Sequence, residues 1–184
     1  MAEDLLRRRS ALASLYREGS HGATPEILIA ERRLATMLQV TTWDDATALG
    51  RIALPRPNRA MLSDDVTALW LGPRRFLLVG PDLAARLDGS GAAIVDQSHA
   101  RAVLRLSGAR IRDVLAKGTG IDLARFAKND AAVTLLSHVS VVLHAAESDT
   151  IDVYVPRSYA LSTWEWLVEA AEEYGYRVER RNDR

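Results

Sequence analysis

The chain of 184 residues contains no cysteine and only two lysines, Lys117 and Lys128, and its 24 basic residues are balanced by 24 acidic ones. The first absence excludes disulfides, thiolate metal sites and a cysteine nucleophile, and it fits a reducing, cytoplasmic setting. The charge balance removes the electrostatic case for nucleic-acid binding, which calls for a basic face. No apolar run approaches the roughly 20 residues that span a bilayer. The first residues carry Glu3, Asp4 and Glu18 among their arginines and lack the apolar core of a secretion signal. What is present is 48% hydrophobic residues, enough for a substantial core in one domain or two closely joined ones.

The most informative stretch runs from Ile151 to Arg180. Ile151, Val153 and Val155 alternate with Asp152 and Tyr154, the period of a strand with one buried face. From Ser158 the period changes. Leu161, Trp164, Leu167, Val168 and Ala171 recur at helical spacing, and Glu165, Glu169, Glu172 and Glu173 fall largely on the other side. Ser158 or Ser162 supplies a candidate cap, and Gly175 a stop before the strand-like YRVER. Strand, helix and strand in this order predict a β-α-β unit within one sheet. Trp166 lies about 200° round the helix from Trp164. Two readings are open: a helix packed on two sides within its own domain, or a tryptophan held out for a partner chain. Trp166, with Arg157 and Tyr159 at the helix start, forms the candidate partner interface.

Earlier in the chain, residues 1–26 predict an N-terminal arm with a short amphipathic helix, disordered or ordered by a partner. Ile27 to Ala30 and Thr36 to Trp43 predict strands, and Asp44 to Ala53 a short helix stopped by LPRPN. TALWLG and RRFLLVG predict a hairpin around Gly72-Pro73, PDLAARL a short helix, and Ala92 to Asp96 a strand. The order then restarts: Ala102 to Leu106 as a strand, a helix capped by Ser107 and running to Lys117, a loop over Thr119 to Asp130, and one long or two short strands over Val133 to His144. Met37 to Val40 align with Val103 to Leu106 at an offset of 66, and Val79 with Val155 at 76. The expected fold is α+β: two ferredoxin-like βαββαβ units in tandem, at about 27–96 and 101–180, with helices on one face of each sheet and a charged tail at 181–184.

A search for chemistry finds little. Asp96, Ser98 and His99 have the composition of a triad, but neighbours on an extended chain point to opposite faces, so a polar turn is expected. His138 and His144 share a strand face only at about 20 Å, too far for one metal ion. Gly118 and Gly120 in KGTGIDL lack the third glycine of a dinucleotide loop and follow a helix, so they read as a helix stop. Arg110 and Arg112 could hold an anion at a helix start, or be ordinary solvated arginines. No catalytic, cofactor-binding or metal-binding residue emerges.

The segments TALWLGPRRFLLVG, VDQSHARAVLRLSGARIRDVLAKGTGIDL and YVPRSYALSTWEWLVEAAEEYG together resemble the gamma subunits of bacterial heterotetrameric sarcosine oxidase. More distantly the chain is similar to the folate-binding domain of glycine-cleavage aminomethyltransferase. The resemblance spans about Ile27 to Gly175. It implies a non-catalytic subunit of a complex that oxidatively demethylates sarcosine and passes the one-carbon unit to tetrahydrofolate. The implied partners are alpha, carrying NAD and the folate site, beta, carrying FAD, with covalent FMN between them, and a zinc-binding delta subunit. No cofactor is implied for this chain. The alternatives are the equivalent subunit of a related N-methyl amino acid oxidase or dehydrogenase, or a stand-alone folate-dependent one-carbon enzyme. The last needs an acid in a pocket, for which Asp96, Asp122 and Asp152 are the candidates.

Overall fold

The computed structural model describes residues 10–13, 16–33 and 36–179; the expected N-terminal helix, as far as it involves residues 1–9, and the charged tail lie outside them. In chain order the strands are β1 (Gly19–His21), β2 (Ile27–Arg32), β3 (Met37–Thr41), β4 (Ala48–Leu49), β5 (Ile52–Ala53), β6 (Ala60–Ser63), β7 (Val66–Gly72), β8 (Arg75–Val79), β9 (Ala93–Asp96), β10 (Arg101–Ser107), β11 (Ala131–Leu136), β12 (Val139–Glu147), β13 (Thr150–Pro156) and β14 (Tyr176–Val178). The helices are α1 (Leu83–Arg86), α2 (Ile111–Ala116) and α3 (Ala160–Ala171).

The strands build a five-stranded sheet in the order β6-β7-β8-β3-β9 and a seven-stranded sheet in the order β1-β14-β2-β10-β13-β12-β11. The two orders correspond. Position for position, β3 matches β10, β7 matches β12, β8 matches β13 and β9 matches β14, so each sheet carries the strand order of a ferredoxin-like unit with one strand added at its edge, β6 or β11. Two strands depart from the repeat. β2 inserts between β14 and β10, so residues 27–32 belong to the second sheet and not to the first unit as expected, and β1 extends that sheet beyond β14. β13 and β14 lie in one sheet with α3 between them in sequence, as the change of period predicts.

The sheets pack face to face. Strand alternation sends Leu104 and Leu106 of β10, Val141 and Leu143 of β12 and Ile151, Val153 and Val155 of β13 toward α2 and α3, into a core that also takes Trp164 and Leu167. The opposite faces of the same strands carry Val103, Val142 and Tyr154, which meet Met37, Leu69, Leu77 and Val79 of the five-stranded sheet. The far face of that sheet buries Leu38, Val40, Phe76 and Leu78 under α1 and the β4-β5 hairpin. The result is helix, sheet, sheet, helix, with each strand buried on both sides where the layers overlap.

A contact between equivalent segments ties the halves together. Ala60 N–H donates to Asn129 O at 2.7 Å and Ala131 N–H donates to Asn58 O at 3.1 Å, a reciprocal exchange. Asn58 and Asn129 both take left-handed backbone, at φ 59° and 67°, a conformation that asparagine tolerates better than most residues. Arg59 and Asp130, between them and their alanines, form an ion pair. Asn-Arg-Ala and Asn-Asp-Ala thus repeat at an offset of 71, between the 66 and 76 visible at the flanking strands.

Several local expectations are corrected. Residues 44–53 form no helix: Gly50, at φ 57°, turns the chain between β4 and β5. A glycine within the span disfavours a helix, and Leu49, Ile52 and Leu54 reach the core from the hairpin instead. Ser107 ends β10 and does not cap α2, whose first turn is preceded by Arg110. Neither Ser158 nor Ser162 caps α3. The chain enters it through a 3-10 turn at Arg157–Tyr159, and the Ser162 hydroxyl donates to Tyr159 O. Leu161, expected on the buried stripe, is 41% exposed, while Thr163 takes a buried place. The described part of residues 1–26 is docked on the body. Leu12 is fully buried, Tyr16 packs on Trp164 with ring centroids 5.1 Å apart, and His21 stacks on Tyr176 at 4.5 Å.

Candidate functional site

The face where the two sheets meet is mainly apolar, with a polar cluster at one end. There, three adjacent strands of the seven-stranded sheet each contribute one polar side chain in register: Arg105 of β10 lies opposite Asp152 of β13, and Asp152 lies opposite His144 of β12. Arg32 at the end of β2 joins them. Arg105 Nε and Nη2 donate to Asp152 Oδ1 and Oδ2 at 2.7 and 2.8 Å, and Arg32 Nη1 donates to Oδ2 at 2.8 Å. Asp152 is 1% exposed. A carboxylate so far from water is tolerated because a two-pronged arginine and a second cation replace its hydration. The same hydrogen bond holds the Arg105 guanidinium proton more firmly, against the effect of burial.

His144 is buried beside this pair, and its Nδ1 has no hydrogen-bond partner. Burial drives its pKa down to about 4; Arg105 and Arg32 push the same way and the Asp152 carboxylate pulls back only in part. The ring is therefore neutral at pH 7. Tyr154, two residues along β13 on the same face, has its phenol pKa raised, mainly by complete burial.

These groups form one wall of a cleft of about 370 Å³ between the sheets. Ala60, Met61, Leu62, Thr67 and Val79 of the five-stranded sheet also line it, together with Pro81. Lys128 and Glu147, paired at 2.6 Å, and Asn129 line it as well. The arrangement is built to hold charge. Both Asp152 oxygens are occupied by arginines, so it is not available as a general base.

The other residues singled out from the sequence are dispersed. Asp96 Oδ1 accepts from Ser98 N–H at 2.7 Å and the buried Ser98 Oγ accepts from Met37 N–H at 2.9 Å, while His99 is exposed, so the segment is the expected polar turn. His138 sits in the tight turn between β11 and β12 at φ 74°, not on a strand face with His144. Among the described residues no group of three His, Asp or Glu side chains is placed to hold a metal ion. Arg110 is bound to Glu26 and Asp113, and Arg112 donates to the carbonyls of Leu123, Phe126 and Ser148; both are structural clamps. Asp122 accepts from Ala124 N–H in its loop. Gly118 closes α2, its N–H donating to Leu115 O at 3.0 Å.

Trp166 is half-buried. Its ring covers Gly118, where an added Cβ would lie 2.5 Å from the indole, so it is part of the packing between α2 and α3. Tyr159 is 53% exposed. Arg157 is half-buried, its N–H donating to Ala100 O at 2.8 Å. The row of Arg105, Asp152 and His144 was not assembled from the sequence. Its signal is a polar or charged residue among the apolar residues of each of three strands, but pairing them requires the sheet register.

Comparison with known proteins finds a match over residues 45–173 to the model of the sarcosine oxidase, gamma subunit family. The sarcosine oxidase subunit gamma of Arthrobacter sp. is 29% identical over 193 residues, covering 95% of each chain. That of Corynebacterium sp. (strain P-1) is 31% identical over 120 residues, covering 60% of this chain and 59% of its relative. Among solved structures, a chain of the heterotetrameric sarcosine oxidase of Corynebacterium sp. U-96, in complex with pyrrole 2-carboxylate, superposes with a TM-score of 0.82 at 27% identity, over 91% of this chain and 96% of that one. The glycine cleavage system aminomethyltransferase T of Bartonella henselae shares the fold, with a TM-score of 0.61 at 15% identity, over 93% of this chain and 58% of that one.

Proposed function

Because the chain belongs to the sarcosine oxidase gamma subunit family, we propose that it is the gamma subunit of a heterotetrameric oxidase that demethylates sarcosine and hands the one-carbon unit to tetrahydrofolate. The observation that carries this reading is the superposition over nearly the whole of both chains on a chain of a heterotetrameric sarcosine oxidase. Its partners are the other subunits of the complex, chiefly the large alpha subunit. FAD, FMN, NAD, the folate and zinc are held in those subunits, and the assembly works in the cytoplasm. No helix of the described residues is long and apolar enough to cross a membrane.

The role of this chain is architectural. Its contact with the partner includes the start of α3, where Arg157 and Tyr159 lie beside the exposed Leu161, and the outer edge of the Trp166 ring. What supports this surface is the exposure of Tyr159 and Leu161 at 53% and 41%. A stand-alone folate enzyme finds no support, because Asp96, Asp122 and Asp152 are each engaged in hydrogen bonds within the fold. Co-expression of the four subunits with and without this chain tests the proposal. Loss of the assembled, sarcosine-oxidising complex when the chain is omitted is the expected result; full assembly and activity without it would remove the proposal.

A further inference from the structure

We propose that the cleft between the two sheets binds a small monocarboxylate, with the carboxylate on Arg32 and Arg105 beside His144 and the apolar body against Met61, Leu62 and Val79. This reading does not depend on the oxidase assignment. It starts from charge. Around the cleft, Arg32, Arg105 and Lys128 face Asp152 and Glu147, while Asp65 at the rim is matched by Arg86 at 2.7 Å, so one cation is left in excess. His144 adds no charge at pH 7, since burial depresses its protonation. A monoanion is the ligand that balances this set.

Hydrogen bonding points the same way. The clamp on Asp152 uses Nη1 of Arg32 and Nε and Nη2 of Arg105, which leaves further N–H donors on both guanidiniums. Both side chains keep access to solvent, at 20% and 32% exposure. His144, more than nine-tenths buried on the wall of the cleft, has an Nδ1 with no partner. A buried polar atom of this kind is uncommon in a folded protein. The other wall is mostly aliphatic, which disfavours a hydrated inorganic ion and favours a ligand with a hydrocarbon part. The volume of about 370 Å³ falls within the usual range for small-molecule sites.

The test uses 4-fluorophenylacetate, observed by fluorine NMR against the protein as it purifies, with any partner chains it retains, and with neutral 4-fluorophenylacetamide as control. Two substitutions in this chain isolate the cleft. His144→Phe removes the ring nitrogens, and Met61→Trp, at a partly exposed position on edge strand β6, fills the cavity without touching the charged wall. Expected are binding of the carboxylate at millimolar or lower Kd, at least about tenfold weaker binding of the amide, and a loss of about tenfold in each variant. Equal binding of acid and amide, or carboxylate binding unaffected by both variants, overturns the proposal. An independent readout needs no variant: crystals soaked in about 10 mM 4-bromophenylacetate, a concentration above the expected Kd, should show anomalous bromine density in the cleft. An empty cleft in crystals whose mouth is open to solvent overturns it as well.

Discussion

The two halves of the molecule share a strand order and a reciprocal contact at Asn58 and Asn129, yet they are covered very differently. Behind the seven-stranded sheet, α2, the twelve-residue α3 and the docked N-terminal segment enclose 25 buried apolar side chains among the described residues, including Trp164 and Phe126. Behind the five-stranded sheet, the four-residue α1 and a two-residue-stranded hairpin enclose 11. Its edge strand β9 is exposed along its length, with Ile94 and Val95 at 42% and 53%. The difference shows that the strand order of this unit does not depend on a full helical layer. The sheets supply each other with a second face, so the poorly covered half relies on its partner half.

Substitutions at equivalent depths should expose this inequality. Trp164→Ala removes the largest side chain of the α3 face and is expected to cost about 3–5 kcal/mol in urea unfolding. Asp152→Ala strikes the interface between the sheets. It leaves two arginines without their carboxylate, and the expected loss is about 3 kcal/mol, the low end of the cost of breaking a buried pair from one side, because both guanidiniums keep access to water. Leu83→Ala, the counterpart under the thinner layer, should cost about 2–3 kcal/mol, because a one-turn helix can settle into the space. A loss at Leu83 equal to that at Trp164 would mean that the two covers contribute alike.

The interface between the sheets should also respond to acid. His144 has a pKa near 4 in the folded chain against 6.5 when free, so the unfolded chain binds the extra proton first. Its contribution is fully present above pH 6.5 and is lost as the pH falls through 4, about 3 kcal/mol in all. Between pH 7 and 4 the wild type should therefore lose about 3 kcal/mol of stability relative to His144→Phe, whose side chain takes up no proton. Parallel curves would show that the ring is not buried in its neutral form.

The smallest effects test the facing of α3. Gly118→Ala drives a methyl group into the Trp166 ring and should cost about 1–3 kcal/mol, whereas Gly120→Ala, with open space around it, should change stability by less than about 1 kcal/mol. In a Trp166→Ala background the Gly118 substitution should become nearly neutral. Persistence of the full cost there would separate the two residues and return Trp166 to a purely outward role.

Much of this architecture was legible in the alternation of single strands, because each inner strand buries one face against helices and the period of two survives in Ile151, Val153 and Val155. Helix α3 was legible for the same kind of reason. The β4-β5 hairpin was not, since Leu49, Ile52 and Leu54 suit a helix nearly as well and only the left-handed backbone at Gly50 decides. Trp166 was ambiguous because its neighbour Gly118 is 48 residues away in sequence. The polar row was hidden for a related reason: Arg105 and Asp152 stand 47 positions apart and meet only through strand register. In the sequence Asp152 reads as a candidate acid for a pocket, because the two arginines that neutralise it cannot be assigned to it from spacing alone.

Tagging the chain in its native cells and recording the visible absorption spectrum of what copurifies decides whether it is a component of an oxidase complex. The expected eluate is yellow, with a large partner chain and flavin bands. A colourless protein recovered alone and folded, with no partner retained, would contradict it.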